Sequence, residues 1–121
     1  MWVVIAAINL AIAVCLGAFG AHGLKNRVTP IQLEWWHTAT EYFFYHALGL
    51  LAIGILMKAI PGLSLKLPAG FIQAGIIIFC GSLYIMALGA PRWLGAITPI
   101  GGLSMIIGWL SLAVIVYKAN S

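Results

Sequence analysis

Glu34, His37, Glu41 and Tyr45 follow one another at steps of three and four residues, the spacing that places side chains on one face of a helix. Glu34 and Glu41 are the chain's two acidic side chains, and His22, His37 and His46 are its three histidines. A carboxylate beside an imidazole supports three kinds of chemistry: a hydrogen-bonded pair that fastens two helices, a proton relay, or a metal or haem site. The first is the leading expectation, with Glu41 paired to His22 or to His37. In the second, Glu41 and a neighbouring histidine serve an oligomeric permease for a small solute or protons. In the third, His22 and His46 act as axial haem ligands from antiparallel helices. His46 lies about 140° around the helix from Glu41, and a tetrahedral metal site needs further ligands that the sequence does not supply. No metal and no cofactor is therefore expected. The chain has no nucleophile-and-base constellation and no phosphate-cradling glycine loop, and Glu34 and Glu41 lie too near the membrane surface for an acid–base pair. No catalytic residue is assigned.

Helices in lipid must position these groups. Four apolar stretches, at about residues 2–24, 40–57, 68–88 and 97–117, occupy most of the 121 residues. About 20 apolar residues, rising about 1.5 Å each, match a hydrocarbon core of roughly 30 Å. Lipid offers the backbone no hydrogen bonds, so a spanning segment is a helix or part of a closed barrel. Barrel strands alternate polar and apolar residues, and Ile76-Ile77-Ile78-Phe79 does not. The fold class is all-α: an integral membrane four-helix bundle, one domain over residues 1–121.

Charge placement agrees with that solvent. The chain is 64% hydrophobic and 7% charged, whereas a soluble domain carries about 25% charged residues. Lys25, Arg27, Lys58, Lys66, Arg92 and Lys118 all fall between spans or after the last one. Burying one at mid-helix would cost about 2.5–3.5 kcal/mol. The net charge of +4 therefore reads as loop charge beside lipid headgroups, and nucleic acid is excluded as a partner. An even number of spans puts both termini on one side. The basic residues divide evenly between the two sides, and the terminal amine tips both ends toward the cytoplasm. The first span opens Met1-Trp2-Val3-Val4, without the basic n-region of a signal peptide, and is expected to stay as a helix. Cys15 and Cys80 sit in different spans and suggest neither a metal pairing nor a disulfide framework.

Thr29-Pro30-Ile31-Gln32 is a helix start: Thr29 caps, Pro30 suits the first helical position and Gln32 completes a capping box. An unbroken helix from Pro30 to Met57 would be about 42 Å long, more than the hydrocarbon needs. Ile31–Glu41 is therefore expected as an interfacial lead-in, with Trp35 and Trp36 each keeping a polar edge wet at the headgroups. Val28-Thr29-Pro30-Ile31 is echoed by Ile97-Thr98-Pro99-Ile100 at an offset of 69, and Gly20-Ala21 by Gly89-Ala90. The echo predicts two related helical hairpins and a second capped start at Thr98.

Helix association in lipid favours small residues at contacts. Ala13, Gly17 and Ala21, widened by Gly20, form such a stripe on the first helix. Gly101, Ser104 and Gly108 form another on the last. Both are expected to face inward, with Ile, Leu and Val toward lipid. Gln73, Cys80 and Tyr84, spaced by seven and four residues, share a face of the third helix and are expected to hydrogen-bond to neighbouring helices.

The segments Gly17-Ala18-Phe19-Gly20-Ala21-His22-Gly23-Leu24, Tyr45-His46-Ala47-Leu48-Gly49-Leu50, Gly81-Ser82-Leu83-Tyr84 and Leu94-Gly95-Ala96-Ile97-Thr98-Pro99-Ile100-Gly101-Gly102 together resemble one family. It is the small bacterial membrane-protein family called domain of unknown function 423, to which the eukaryotic transmembrane protein 256 is similar. The resemblance covers nearly the whole chain. It implies a four-helix protein of the bacterial inner membrane and no established reaction, ligand or transport substrate. His22, Glu41 and His46 fit the family pattern, which marks them for testing without assigning a role. Residue chemistry and resemblance together predict a non-enzymatic accessory or assembly subunit. Its partners are membrane lipid and copies of itself or a larger membrane complex.

Overall fold

A computed structural model describes residues 1–120; Ser121, the last residue of the expected domain, lies outside the described residues. Helix α1 spans Trp2–His22 and α2 spans Pro30–Ala59. Helix α3 spans Lys66–Ala87 and contains a π-helical turn at Ile76–Cys80. A 3₁₀ turn at Arg92–Ala96 leads into α4, Thr98–Ala119. The described residues contain no strand. The protein thus has four helices long and apolar enough to cross a membrane, the only open-ended way for its backbone to satisfy itself in lipid.

The helices pack as two hairpins, α1 on α2 and α3 on α4, joined mainly by α2 lying along α3. Small residues decide how close each pair comes. A side chain at Gly20 would run into the Trp36 indole, and one at Gly54 would lie 2.9 Å from the Val3 backbone. In the second hairpin Gly101 backs directly onto the Phe79 backbone, and Gly108 meets Ile72 and Pro68. Where the chain reverses between helices, Gly62 and Gly89 take φ of 87° and 106°, a region open mainly to glycine.

Helix α2 begins as its residues dictate. The Thr29 hydroxyl accepts from the Gln32 N–H at 3.3 Å, and the Thr29 N–H donates to Gln32 Oε1 at 2.9 Å, a complete capping box. At the second Thr-Pro start the expectation fails: α4 has no side-chain cap. There the Thr98 hydroxyl bonds to the Ser82 hydroxyl of α3 instead. The chain enters α4 from the 3₁₀ turn with Ile97, already in helical geometry (φ −84°, ψ −32°), at the N-cap position, so Thr98 lies inside the first turn and not before it.

Trp36 also departs from its expected place. It is buried, not wet, and its Nε1–H donates to the Leu16 carbonyl at 2.8 Å. The lead-in from Pro30 is continuous with the span, as one helix that runs to Ala59. From Trp36 to Gly54, α2 runs alongside α1 from Gly20 back to Val3. By that register Glu41 stands alongside the body of α1, and Glu34 alongside its last turn.

Candidate functional site

The core face of α2 carries Trp36, Ala39, Phe43, His46, Ala47, Leu50 and Ile53, all buried. Glu34, Thr38, Glu41 and Tyr45 lie on the opposite side of the helix, and every one of them is exposed. His37 is exposed on the flank of the same face. The sequence-predicted cluster is thus brought together along one helix face but turned away from the other three helices. None of Glu34, His37 and Glu41 forms a hydrogen bond or ion pair among the described residues. The expected Glu41–His22 and Glu41–His37 pairs do not form. His22 ends α1 on that helix's own outward face, in line with the exposed Cys15.

His46 stands apart from all of them. It is buried, its ring lies 5.8 Å from that of Trp109, and its Nδ1 is 2.9 Å from the Tyr42 carbonyl. A carbonyl only accepts, so Nδ1 carries the proton. Trp36 docks beside Gly20, so His22 lies beyond Trp36 in one direction. His46 lies ten residues from Trp36 in the other, about 15 Å along the helix. The two histidines therefore do not face a common ligand. No group of three or more His, Cys, Asp or Glu side chains suited to a metal ion occurs among the described residues.

A second polar set, unremarked in the sequence except for α3, lies between α1 and α3. Asn9 is only 7% exposed. Its amide donates to the Ile5 carbonyl at 2.8 Å and to Gln73 Oε1 at 2.7 Å, and Gln73 Nε2 returns a longer bond at 3.4 Å. Nearer the α1–α2 turn, the Thr40 hydroxyl donates to the Trp36 carbonyl at 2.9 Å and lies 2.8 Å from the Tyr84 hydroxyl. With the Thr40 proton committed, Tyr84 is the donor in that pair. Asn9, Gln73, Cys80 and Tyr84 border a groove of about 320 Å³ that the π turn of α3 also lines. That turn opens on Ile76, Ile77 and Ile78, a run of three β-branched side chains. Every buried side-chain nitrogen and oxygen among the described residues is hydrogen-bonded, so this set acts as interhelical glue. The signal for Asn9 was its own presence, a lone amide inside an apolar span that calls for a partner on another helix.

The stripes of small residues fall as follows. Ala13 and Gly20 are buried and Gly17 half-buried against Thr40 and Phe44, whereas Ala21 is exposed. Each four-residue step turns a helix about 40° past a full revolution, which carries Ala21 off the contact face. On α4, Gly101 and Gly108 are buried, and the Ser104 hydroxyl donates to the Phe71 carbonyl at 2.7 Å. Cys15 is exposed and Cys80 buried, and both are free thiols.

Comparison with known proteins matches residues 16–102 to the family described as protein of unknown function, DUF423. The chain belongs to the DUF423 family. It is 43% identical over 119 residues to the UPF0382 membrane protein YwdK of Bacillus subtilis, covering 98% of this chain and 97% of that one. A UPF0382 membrane protein of Staphylococcus saprophyticus is 45% identical over 118 residues, covering 98% of each chain. One from Staphylococcus haemolyticus is 39% identical over 118 residues, covering 98% of this chain and 96% of the relative. No solved structure matches. The DUF423 chain is therefore a polytopic membrane protein, of a family whose function is unassigned.

Proposed function

We propose that this DUF423 protein is a non-enzymatic interaction subunit of the bacterial inner membrane, and that the outward face of α2 is where it meets another membrane protein. One observation carries the reading: Glu34 and Glu41, the chain's two acidic residues, stand on a face that the bundle leaves uncovered. A carboxylate facing acyl chains is costly, and such groups normally turn toward protein or water. A second chain over this face would supply the missing partners. The absence of inward direction also speaks against a pathway within one chain, since Glu41 points away from the other helices. Both termini lie in the cytoplasm in this reading.

Photo-crosslinking in native membranes tests it. A benzophenone side chain replacing Tyr45 should form adducts with protein, whereas one replacing the exposed Leu103 of α4 should react with lipid alone. Lipid adducts alone from both positions would refute the reading.

A further inference from the structure

The second face that the bundle leaves open fits the first. On α1, Ala11, Cys15, Ala18 and His22 form an exposed line opposite the contact with α2. All are small except the terminal histidine. Gly20 lies against Trp36, Gly17 against Thr40 and Val3 against Gly54, and these contacts fix which residues of the two helices share a depth. By that register Glu34 lies at the level of His22, Thr38 of Ala18, Glu41 of Cys15 and Tyr45 of Ala11. The bulky, acidic side of α2 therefore matches, level by level, a line of small side chains on α1 that ends in an imidazole and is flanked by the exposed Ile8, Val14 and Phe19.

Resting on the reading that the α2 face meets protein, we infer that its partner is a second copy of this chain in the same membrane orientation, presenting the outward face of α1. Tyr45 and Glu41 enter the space left by Ala11 and Cys15, where small residues allow close backbone approach. Glu34 meets His22 near the surface, an opposite-charge pair when the imidazole is protonated. The Cys15 thiol is a weak donor toward Glu41. The interface is heterologous, so each copy offers one face and receives the other, and association closes when a ring forms. Charge complementarity and matched depth select this occupant. A symmetric contact of α2 with α2 would instead stack Glu34 on Glu34 and Glu41 on Glu41, like charges at each level.

Disulfide trapping decides between them, using chains in which Cys15 is replaced by Ala and the buried Cys80 is left in place, so that each carries a single exposed cysteine. Ala18→Cys and Thr38→Cys sit at one depth and both positions are exposed, so folding is retained. Two differently tagged chains, one carrying each substitution, should form a mixed disulfide in native membranes under mild oxidation. A disulfide requires Cα atoms within about 7 Å. His22→Ala in the Ala18→Cys chain should reduce the mixed band. The same experiment on Ala11→Cys with Tyr45→Cys should give a second mixed band. If Thr38→Cys pairs only with itself, the α1 partner is wrong, although α2 still meets protein. If no disulfide forms while the Tyr45 photo-crosslinker captures a different protein, the second copy is wrong and the interaction reading survives. If the photo-crosslinker meets lipid alone, both fall.

Discussion

Asn9 and Gln73 meet through two amide hydrogen bonds between helices that otherwise border an open groove. Removing one partner leaves the other amide unsatisfied at mid-membrane, where water cannot replace it. Gln73→Leu should therefore destabilise the protein by about 0.5–2 kcal/mol, read as a lower unfolding midpoint in mild detergent. The double variant Asn9→Leu with Gln73→Leu should recover part of that loss, because neither amide is then stranded. Equal, additive losses would show that the pair is not coupled. At this scale the sequence was partly legible. The shared face of Gln73, Cys80 and Tyr84 follows from spacing, but their partners do not. Asn9 and Thr40 lie far away along the chain and become neighbours only when α1, α2 and α3 pack. Trp36 shows the same limit. An indole near a helix start stays wet or finds a carbonyl according to what the neighbouring helix offers, and here Gly20 makes room for it beside Leu16.

Helices are held at their distances by a few glycines, and the contrast among them is testable. Any side chain at Gly20 collides with the Trp36 indole, whereas nothing lies within 4 Å of a Cβ placed at the exposed Gly70. Gly20→Val should displace Trp36, break its bond to Leu16 and destabilise the first hairpin by about 1–3 kcal/mol, the usual cost of overpacking. Gly70→Ala should be neutral or stabilising by up to about 1 kcal/mol, from helix propensity alone. Thermal unfolding and tryptophan emission measure both, and equal effects of the two substitutions would contradict this packing. The helices themselves were the most legible part of the sequence. Runs of about 20 apolar residues leave the backbone few other ways to satisfy itself in lipid. Two element-level details were not legible. Residue type and spacing specify neither the π turn in α3 nor the uncapped entry of α4 from the 3₁₀ turn before it. The direction of the polar face of α2 was hidden for the same reason. Spacing shows that Glu34, Glu41 and Tyr45 share a face, but only the positions of α1, α3 and α4 reveal that it points outward.

The molecule as a whole has its small, well-packed contacts inside and its two carboxylates outside. A chain surrounded by lipid on all sides gives Glu41 no partner and Glu34 only headgroups, and an outward charge among acyl chains is costly. Their presence makes sense if the outward face of α2 is an interior surface of a larger assembly. Native mass spectrometry of the wild-type chain released directly from membranes tests this most directly. The wild-type protein should appear as a complex of more than one chain. The variant Glu34→Leu with Glu41→Leu should remain helical and shift to the monomer mass. A wild-type chain that appears only as a monomer, bound to nothing but lipid, would contradict the account.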